Sequence, residues 1–362
     1  MLNVRLPARI NLAGSPTDAV EGAYATITAA VELHGGARIA PADDRIELRR
    51  SDGSSATFSP SYIEDAGEMA VEAAAINGLL RHAPELASRL HRQGAVIETW
   101  TEIPRSSGMA GSSVLLLAVL AALRAFYDLD RRRYNDYVLA ELAQRIEELD
   151  LGIVCGFADR YAPLFGDIAY LSYHGKLWHA PLAEEPFVTY EKLGDYLPAL
   201  ELCVATTGVQ RHSGSVHAPM RQRYLRERRG GKGPLLELAR QLGETAWRGK
   251  IALLSGDLAA FGAQIDRNQR LVDEMMHACG FEEGAGHEVR MLVGAAKAAG
   301  ALGAKLTGAG GGGAIFALPP PGGADAVAAA LRKAASAAGL TGSAVLIVPV
   351  SRRGLQIEVA PN

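Results

Sequence analysis

The residues that could do chemistry fall in three stretches of the chain. In the first, IPRSSGMAGSSVLLLAVLAALRAFYDL (Ile103–Leu129), a loop of small residues runs straight into an apolar segment. Ser106, Ser107, Gly108, Ala110, Gly111, Ser112 and Ser113 make up that loop. Free N–H groups and the positive end of a helix dipole form an anion site where such a loop opens a helix, and two serine hydroxyls stand ready to help. In the second, RIEELDLGIVCGFADR (Arg145–Arg160), Glu147 and Glu148 end a helical pattern and Asp159 follows eleven residues after Glu148. One carboxylate can bind Mg2+ with phosphate oxygens completing its shell, and a second can orient or deprotonate a hydroxyl. In the third, LTGAGGGGAIF (Leu306–Phe316), four glycines in a row let backbone approach a ligand or another loop closely, at an entropic cost. Each stretch also has a plain structural reading: a cap on a core helix, solvated acids at a helix end, and a loose hairpin connection. Cys155, between the acids, reads as a buried bystander because no local histidine accompanies it.

Two nucleotide motifs are excluded. Gly308–Gly313 formally matches G-x-G-x-x-G, but a dinucleotide fingerprint needs a strand before it and a helix after it. Here the strand-like AIFAL follows instead. No G-x-x-x-x-G-K-[ST] occurs, which removes a Walker-type loop.

The elements that must position these residues can be read from periodicity. From Val114 to Phe126 nearly every residue is Val, Leu, Ala or Phe, with only Arg124 breaking the pattern. A helix apolar all round lies in a core, and at roughly 20 Å it is too short to span a bilayer. Val4–Leu12 alternates as a strand, and Gly14-Ser15-Pro16-Thr17-Asp18 breaks it. Tyr24–Val31 and Ala37–Ile39 read as two more strands, and Arg45–Arg50 with Ala56–Ser59 as a hairpin turning near Asp52-Gly53. Glu68–Arg81 has helical spacing, and Ala95–Thr101 is a strand leading into the small-residue loop. Tyr134–Leu149 is amphipathic, with Val138, Leu139, Leu142 and Ile146 on one face, and Ile168–Ser172 is a strand. The loop-rich region Ala180–Pro198 suggests a division into 1–185 and 186–362. Beyond it come a strand (Glu201–Thr206), a polar loop, and helices near Leu235–Trp247, Asp257–Met276 and Glu288–Ala299. A strand (Ala314–Leu318), a helix (Ala324–Ala338) and a strand (Ala344–Pro349) follow. That order suggests an α+β architecture, with helices packed on one face of an antiparallel sheet.

With 48% apolar residues the chain can build sizeable cores, and a net charge of −3 gives no general case for nucleic acid or an acidic membrane. Cys155, Cys203 and Cys279 stand in no metal spacing and fit a reducing compartment. The start, MLNVRLPARINLAG, reads as a strand rather than a cleavable signal. The expectation is a soluble, cytoplasmic protein.

PARINLAGSPTD near the start, IPRSSGMAGSSV in the middle and LTGAGGGGA near the end resemble, in order and position, the three motifs of the GHMP kinases. The resemblance spans nearly the whole chain. It implies a two-domain α+β fold, the N-terminal domain resembling ribosomal protein S5 domain 2 and the C-terminal domain ferredoxin-like, with ATP between them. It also implies Mg2+. Nucleotide contacts are implied at Pro104, Ser107, Gly108, Met109, Ala110, Gly111, Ser112 and Ser113, with Gly310 and Gly311 closing against the phosphates. The metal positions implied are Ser113 or Ser112, together with Glu148. One extra residue in the second motif, relative to the mevalonate kinase form, leaves the choice of serine open. Arg9, at the position of the family's first-motif Lys or Arg, and Asp159 are implied as the catalytic pair. Arg9 would keep Asp159 ionised, and Asp159 would accept the proton of the acceptor hydroxyl.

Two further stretches narrow the branch. LDLGIVCGFADRYAPLFGDIAYL and RHSGSVHAPMRQRYL resemble segments of glucuronokinases, and TTGVQRHS resembles the matching stretch of heptose 7-phosphate kinases. Asp18 and Thr17 are implied to bind sugar hydroxyls, with Arg211, His212 and Ser213 on the substrate side. Ser15-Pro16-Thr17-Asp18 stands where galactokinases carry E-H-T-D, which speaks against galactose. The basic run Arg221–Arg229 reads as a solvated helix face, although one of its arginines could pair with a uronate carboxylate. The expected activity is ATP-dependent phosphorylation of a hydroxyl of a sugar or uronic acid, the anomeric one foremost. Alternatives are a heptose 7-phosphate kinase-like enzyme, a mevalonate-pathway GHMP enzyme, and a binding protein that keeps the fold without catalysis. The presence of Arg9, Glu148 and Asp159 together argues against the last. Expected partners are a small-molecule sugar and ATP, for a monomer or homodimer.

Overall fold

The computed structural model describes residues 1–20, 22, 24–176, 181–184, 187–208, 214–308 and 313–359. The chain opens with β1 (Leu2–Ala13), β2 (Ala25–Ala42) and the hairpin β3 (Ile46–Arg50) and β4 (Ser55–Phe58). Helices α1 (Ala70–His82) and α2 (Pro84–Arg92), strand β5 (Gly94–Thr101) and the central helix α3 (Gly111–Phe126) follow. Next come α4 (Asp136–Arg145), α5 (Ala158–Phe165), β6 (Ile168–Ser172) and β7 (Thr189–Lys192). The remainder holds β8 (Glu201–Thr206), α6 (Gly214–Gly230), α7 (Pro234–Leu254), α8 (Leu258–Ala278) and α9 (His287–Ala298). It closes with β9 (Gly303–Leu306), β10 (Ala314–Leu318), α10 (Ala324–Ala337), β11 (Val345–Pro349) and β12 (Gln356–Val359).

The strands form two sheets. One is ordered β12-β1-β2-β5-β3-β4, with β6 pairing on β2 and β7 on β6; the other is ordered β11-β8-β10-β9. Only the β3–β5 pair is parallel among the described strands. The stretches 24–31 and 37–39 prove to be parts of one strand. Their alternation is lost at Gly35-Gly36, where a Cβ on Gly36 would lie 2.1 Å from the Val4 carbonyl oxygen. Close strand approach, not a chain break, explains those glycines.

The expected division at residues 185 and 186 is not followed by the first sheet. β7 pairs with β6, and β12 returns from the far end of the chain to pair with β1. The chain enters the second sheet at β8. The larger apolar core takes in both sheets, from Leu6 and Ile10 on β1 to Val204 on β8 and Phe316 on β10, and a second lies on the other face of the second sheet, with Cys203, Ala205, Ile315 and Ala317.

Helix α3 packs across β1 and β2, with α1 and α4 against its flanks. Its residues Val114 and Leu116–Leu123 are buried, and each large apolar side chain removed from water stabilises the fold by roughly 1.5–3 kcal/mol. The one cation within it, Arg124, is also buried; it donates to the Tyr134 carbonyl at 2.8 Å and pairs with Asp136 at 2.7 Å. Buried charge survives there because it is paired. Among the described residues no helix is long and apolar enough to cross a membrane.

Candidate active site

A cleft of about 990 Å³ lies along the loop that precedes α3. Its lining runs from Val71, Thr99, Trp100 and Ile103, past that loop, to Arg9, Asp18, Asp159 and His217.

The loop owes its shape to left-handed backbone at Ser106, Gly108 and Ala110, with φ of 55°, 68° and 63°. Residues in this region beside right-handed ones turn successive N–H groups inward, the geometry of an anion nest. Gly108 is required for a second reason: a Cβ there would stand 2.9 Å from Gly308 Cα. The Thr307 hydroxyl donates to the Ser107 carbonyl at 2.7 Å, so the glycine-rich segment and the loop are joined directly. Pro104, Ser107, Gly108, Ala110, Gly111, Ser112 and Ser113 line the cleft. Met109 does not; its side chain is in the core, and only its carbonyl, accepting from Arg9 N–H at 3.3 Å, takes part. Gly310 and Gly311 lie outside the described residues, while the flanking Gly308 and Gly313 are on the cleft wall.

Ser113 is distinguished from Ser112 by its partner. The Ser113 hydroxyl is buried and donates to the Glu147 carboxylate, 2.9 and 3.0 Å from its two oxygens, whereas Ser112 is exposed. The glutamate beside Ser113 is thus Glu147 and not the expected Glu148. Glu148 instead accepts from Arg221, at 2.8 and 3.0 Å on its two oxygens, and from the Cys155 N–H at 3.1 Å. Adjacent helical residues point about 100° apart, so only one of the two glutamates can face α3. A π-helical turn at Ile146–Asp150, closed by the Leu151 N–H on the Ile146 carbonyl at 3.1 Å, turns Glu147 toward it. Arg160, wholly buried, forms an ion pair with Glu147 and donates to Cys155 Sγ at 2.8 Å.

Arg9 and Asp159, 150 residues apart, are in contact. Arg9 Nε donates to Asp159 Oδ1 at 3.0 Å, and Nη2 donates to the same oxygen. Its Nη1 donates to the Gly108 carbonyl at 2.8 Å and reaches the Thr307 carbonyl at 3.4 Å. Asp159 Oδ2 makes no hydrogen bond among the described residues, and Asp159 lines the cleft.

Asp18 is buried close by and accepts from the Ala158 N–H at 3.2 Å. Burial foremost, then the charge of Asp159, pushes its carboxyl up to about 6, with Arg9 pulling the other way. A Cβ on Gly156 would sit 2.0 Å from Asp18 Oδ2, which explains that glycine. Thr17 departs from its expected role. It is absent from the cleft wall, and its hydroxyl donates to the Gly14 and Ala25 carbonyls at 2.7 and 3.3 Å, holding the turn that carries Asp18. Arg211, His212 and Ser213 lie outside the described residues.

Several cleft residues escaped the sequence reading, Asn11, Trp100 and His217 among them. Asn11 lines the cleft with a shielded Oδ1 that has no partner among the described residues. Trp100 and His217 line it as well. His217 stood in view within the S-G-x-V-H pattern, but a lone histidine carries no local signal of where it points. Arg221 lies on α6 as a partly buried clamp on Glu148, not on a solvated face.

Loop, carboxylates and arginine together line one cleft, with inward-turned N–H groups suited to an anion on one side and the Asp159 carboxylate on the other. The family model for the GHMP kinases N terminal domain matches residues 70–167, and that for GHMP kinases C terminal matches residues 250–337. Together these cover just over half of the chain, which belongs to the GHMP kinases and has their two-domain fold. Among individual proteins it is similar to glucuronokinase 1 of Arabidopsis thaliana, 29% identical over 227 residues. That match takes in 61% of this chain and 57% of the relative's length. A D-glycero-alpha-D-manno-heptose 7-phosphate kinase of Campylobacter jejuni is 36% identical over 78 residues, 22% of each chain. The galactokinase of Lactococcus lactis solved with galactose superposes with a TM-score of 0.76 at 20% identity, over 98% of this chain and 95% of that one.

Proposed function

We propose that this chain transfers the γ-phosphoryl group of ATP to a hydroxyl of a sugar or uronic acid, the anomeric hydroxyl foremost. The observation that carries this reading is the Arg9–Asp159 contact at the meeting point of all three motifs. A heptose 7-phosphate acceptor is the second reading, favoured by the short stretch of higher identity to that kinase.

Phosphoryl transfer asks the protein for in-line positioning and for relief of negative charge. The N–H groups from Gly108 to Ser113 hold the β- and γ-phosphates at the start of α3. The Ser113 hydroxyl and Glu147 carboxylate are hard oxygen donors in contact, a set that suits Mg2+ bound by one carboxylate and phosphate oxygens. Held by Ser113 and Glu147, Mg2+ would supply neutralisation of phosphate charge. Arg9 stabilises charge on the transferring group and keeps Asp159 ionised. Asp159 orients the acceptor hydroxyl and takes its proton through the open Oδ2. Asp18 accepts a hydrogen bond from a second hydroxyl.

The test is ADP release with a panel of free sugars, uronic acids, sugar phosphates and mevalonate. Turnover highest with a free sugar or uronate is expected, and phosphate should appear on the anomeric carbon by 31P and 13C NMR. Turnover confined to mevalonate, or none with any acceptor, overturns the reading.

A further inference from the structure

α6 reaches into the first unit through one arginine. Arg221 grips the Glu148 carboxylate and also donates to the Ala19 carbonyl at 2.9 Å and the Cys155 carbonyl at 2.8 Å. Ala19 and Cys155 are the chain neighbours of Asp18 and Gly156, so the clamp sets α6 beside the acidic end of the cleft. His217 precedes Arg221 by four residues, one helical turn on the same face.

The clamp directs that histidine into the cleft, where it lines the wall with Asp18 and Asp159. Its Nδ1 is shielded from solvent and finds no hydrogen-bond partner among the described residues. A buried polar nitrogen left unpaired costs free energy, and a ligand in the cleft is what can supply the missing partner.

The charged groups acting on the ring are Asp159, Arg221, Arg9 and Arg160. Burial foremost, with Asp159 opposing it and Arg221, Arg9 and Arg160 adding to it, pulls the imidazole down to about 4, so it is neutral at physiological pH. A neutral imidazole offers one donor and one acceptor, the complement of an alcohol; an anion would meet only one useful edge.

We propose that His217 is an acceptor-binding residue whose imidazole hydrogen-bonds one hydroxyl of the acceptor while Asp159 faces another. The site then selects polyhydroxylated acceptors with two hydroxyls in reach of Asp159 and His217 over acceptors carrying one. This rests on the kinase reading above.

The test uses the full chain, ATP and the acceptor that gives the fastest turnover in the panel, with its monodeoxy analogues. His217→Ala and the ring-filling His217→Phe should raise the acceptor KM about 10- to 100-fold and leave the ATP KM unchanged. One deoxy analogue should suffer a matching loss with the unsubstituted protein and no further loss with His217→Ala. Independently of any variant's folding, 15N-histidine NMR of the unsubstituted protein should show a neutral ring whose nitrogen shifts move on saturation with acceptor. An acceptor KM within twofold in folded variants overturns the inference, as does a histidine spectrum indifferent to acceptor. If no panel member turns over, the kinase reading fails and this inference falls with it. If one turns over and His217 is silent, only this inference fails.

Discussion

Asp18→Asn tests the electrostatics of the site without removing an atom of its shape. The carboxyl stands at about 6 against an ordinary 3.8, and at about 1.4 kcal/mol per pH unit this means a penalty of about 3 kcal/mol for the ionised form. Because the folded value lies above the unfolded one, the native state binds the extra proton between pH 4 and 6. Stability from this group is full below about pH 4 and is lost as pH rises through about 6. Asparagine does not titrate, and its carbonyl can still accept from the Ala158 N–H. The variant should therefore gain on the unsubstituted protein by about 2–3 kcal/mol between pH 4 and pH 8, while its acceptor KM rises. Urea unfolding of both proteins at several pH values, without ligands, measures that gap. Repeating the comparison in an Asp159→Asn background should shrink it, because the charge of Asp159 is the second cause of the rise. A gap that stays constant with pH refutes the assignment of Asp18 as a strained, buried acid.

Asp159→Asn should lower kcat about 10²–10⁴-fold with little change in ATP KM, and with Arg9→Met the double variant should lose less than the product of the single losses. Single-turnover kinetics decide this; multiplicative losses would mean the two do not act as a pair. Glu147→Gln should raise the Mg2+ concentration needed for half-maximal rate. Glu148→Gln should leave that concentration alone and cost about 1–3 kcal/mol of stability by weakening the grip on Arg221; a Mg2+ titration and denaturation curves separate the two. Lys305 is buried on the Asn11 and Leu306 carbonyls, and burial pulls it down to about 7. Its folded value lies below the unfolded one, so stability should rise as pH goes from 7 to 10, and Lys305→Met should flatten that rise in melts across the range.

Much of the scaffold was legible because it is written in local pattern. The all-apolar run before Phe126 announces a core helix, and Ala314–Leu318 reads as the strand it forms. What failed was short or paired at long range. α5 is eight residues with Pro163 inside it, and α6 carries Pro219 amid charges, so neither shows a clean 3.6-residue period. β12 has four residues, and its partner β1 lies at the other end of the chain. The site divides in the same way. Arg9, Asp18 and Asp159 were named by motif and stand together. The serine was undecidable because Ser112 and Ser113 are adjacent, and it is Glu147 rather than Glu148 that meets Ser113 because a π-helical turn, which sequence does not announce, turns it there.

The two sheets share an apolar core, and the three motifs are tied together within it by polar locks. Arg9 on β1 donates to Asp159 on α5, to the carbonyl of Gly108 in the central loop and to that of Thr307 beside the glycine run. Thr307 in turn donates to Ser107, and Gly108 and Gly308 approach so closely that neither can carry a Cβ without one side giving way. Apolar packing is non-directional and tolerates a small slide between units. A guanidinium fork that must satisfy three fixed acceptors does not. A positive side chain with its donors committed to a carboxylate and two carbonyls holds Asp159, the loop before α3 and Thr307 in one frame. Arg9 therefore acts on charge and on geometry at once. Lysine at this position would keep the charge and lose the fork, and so lose the frame.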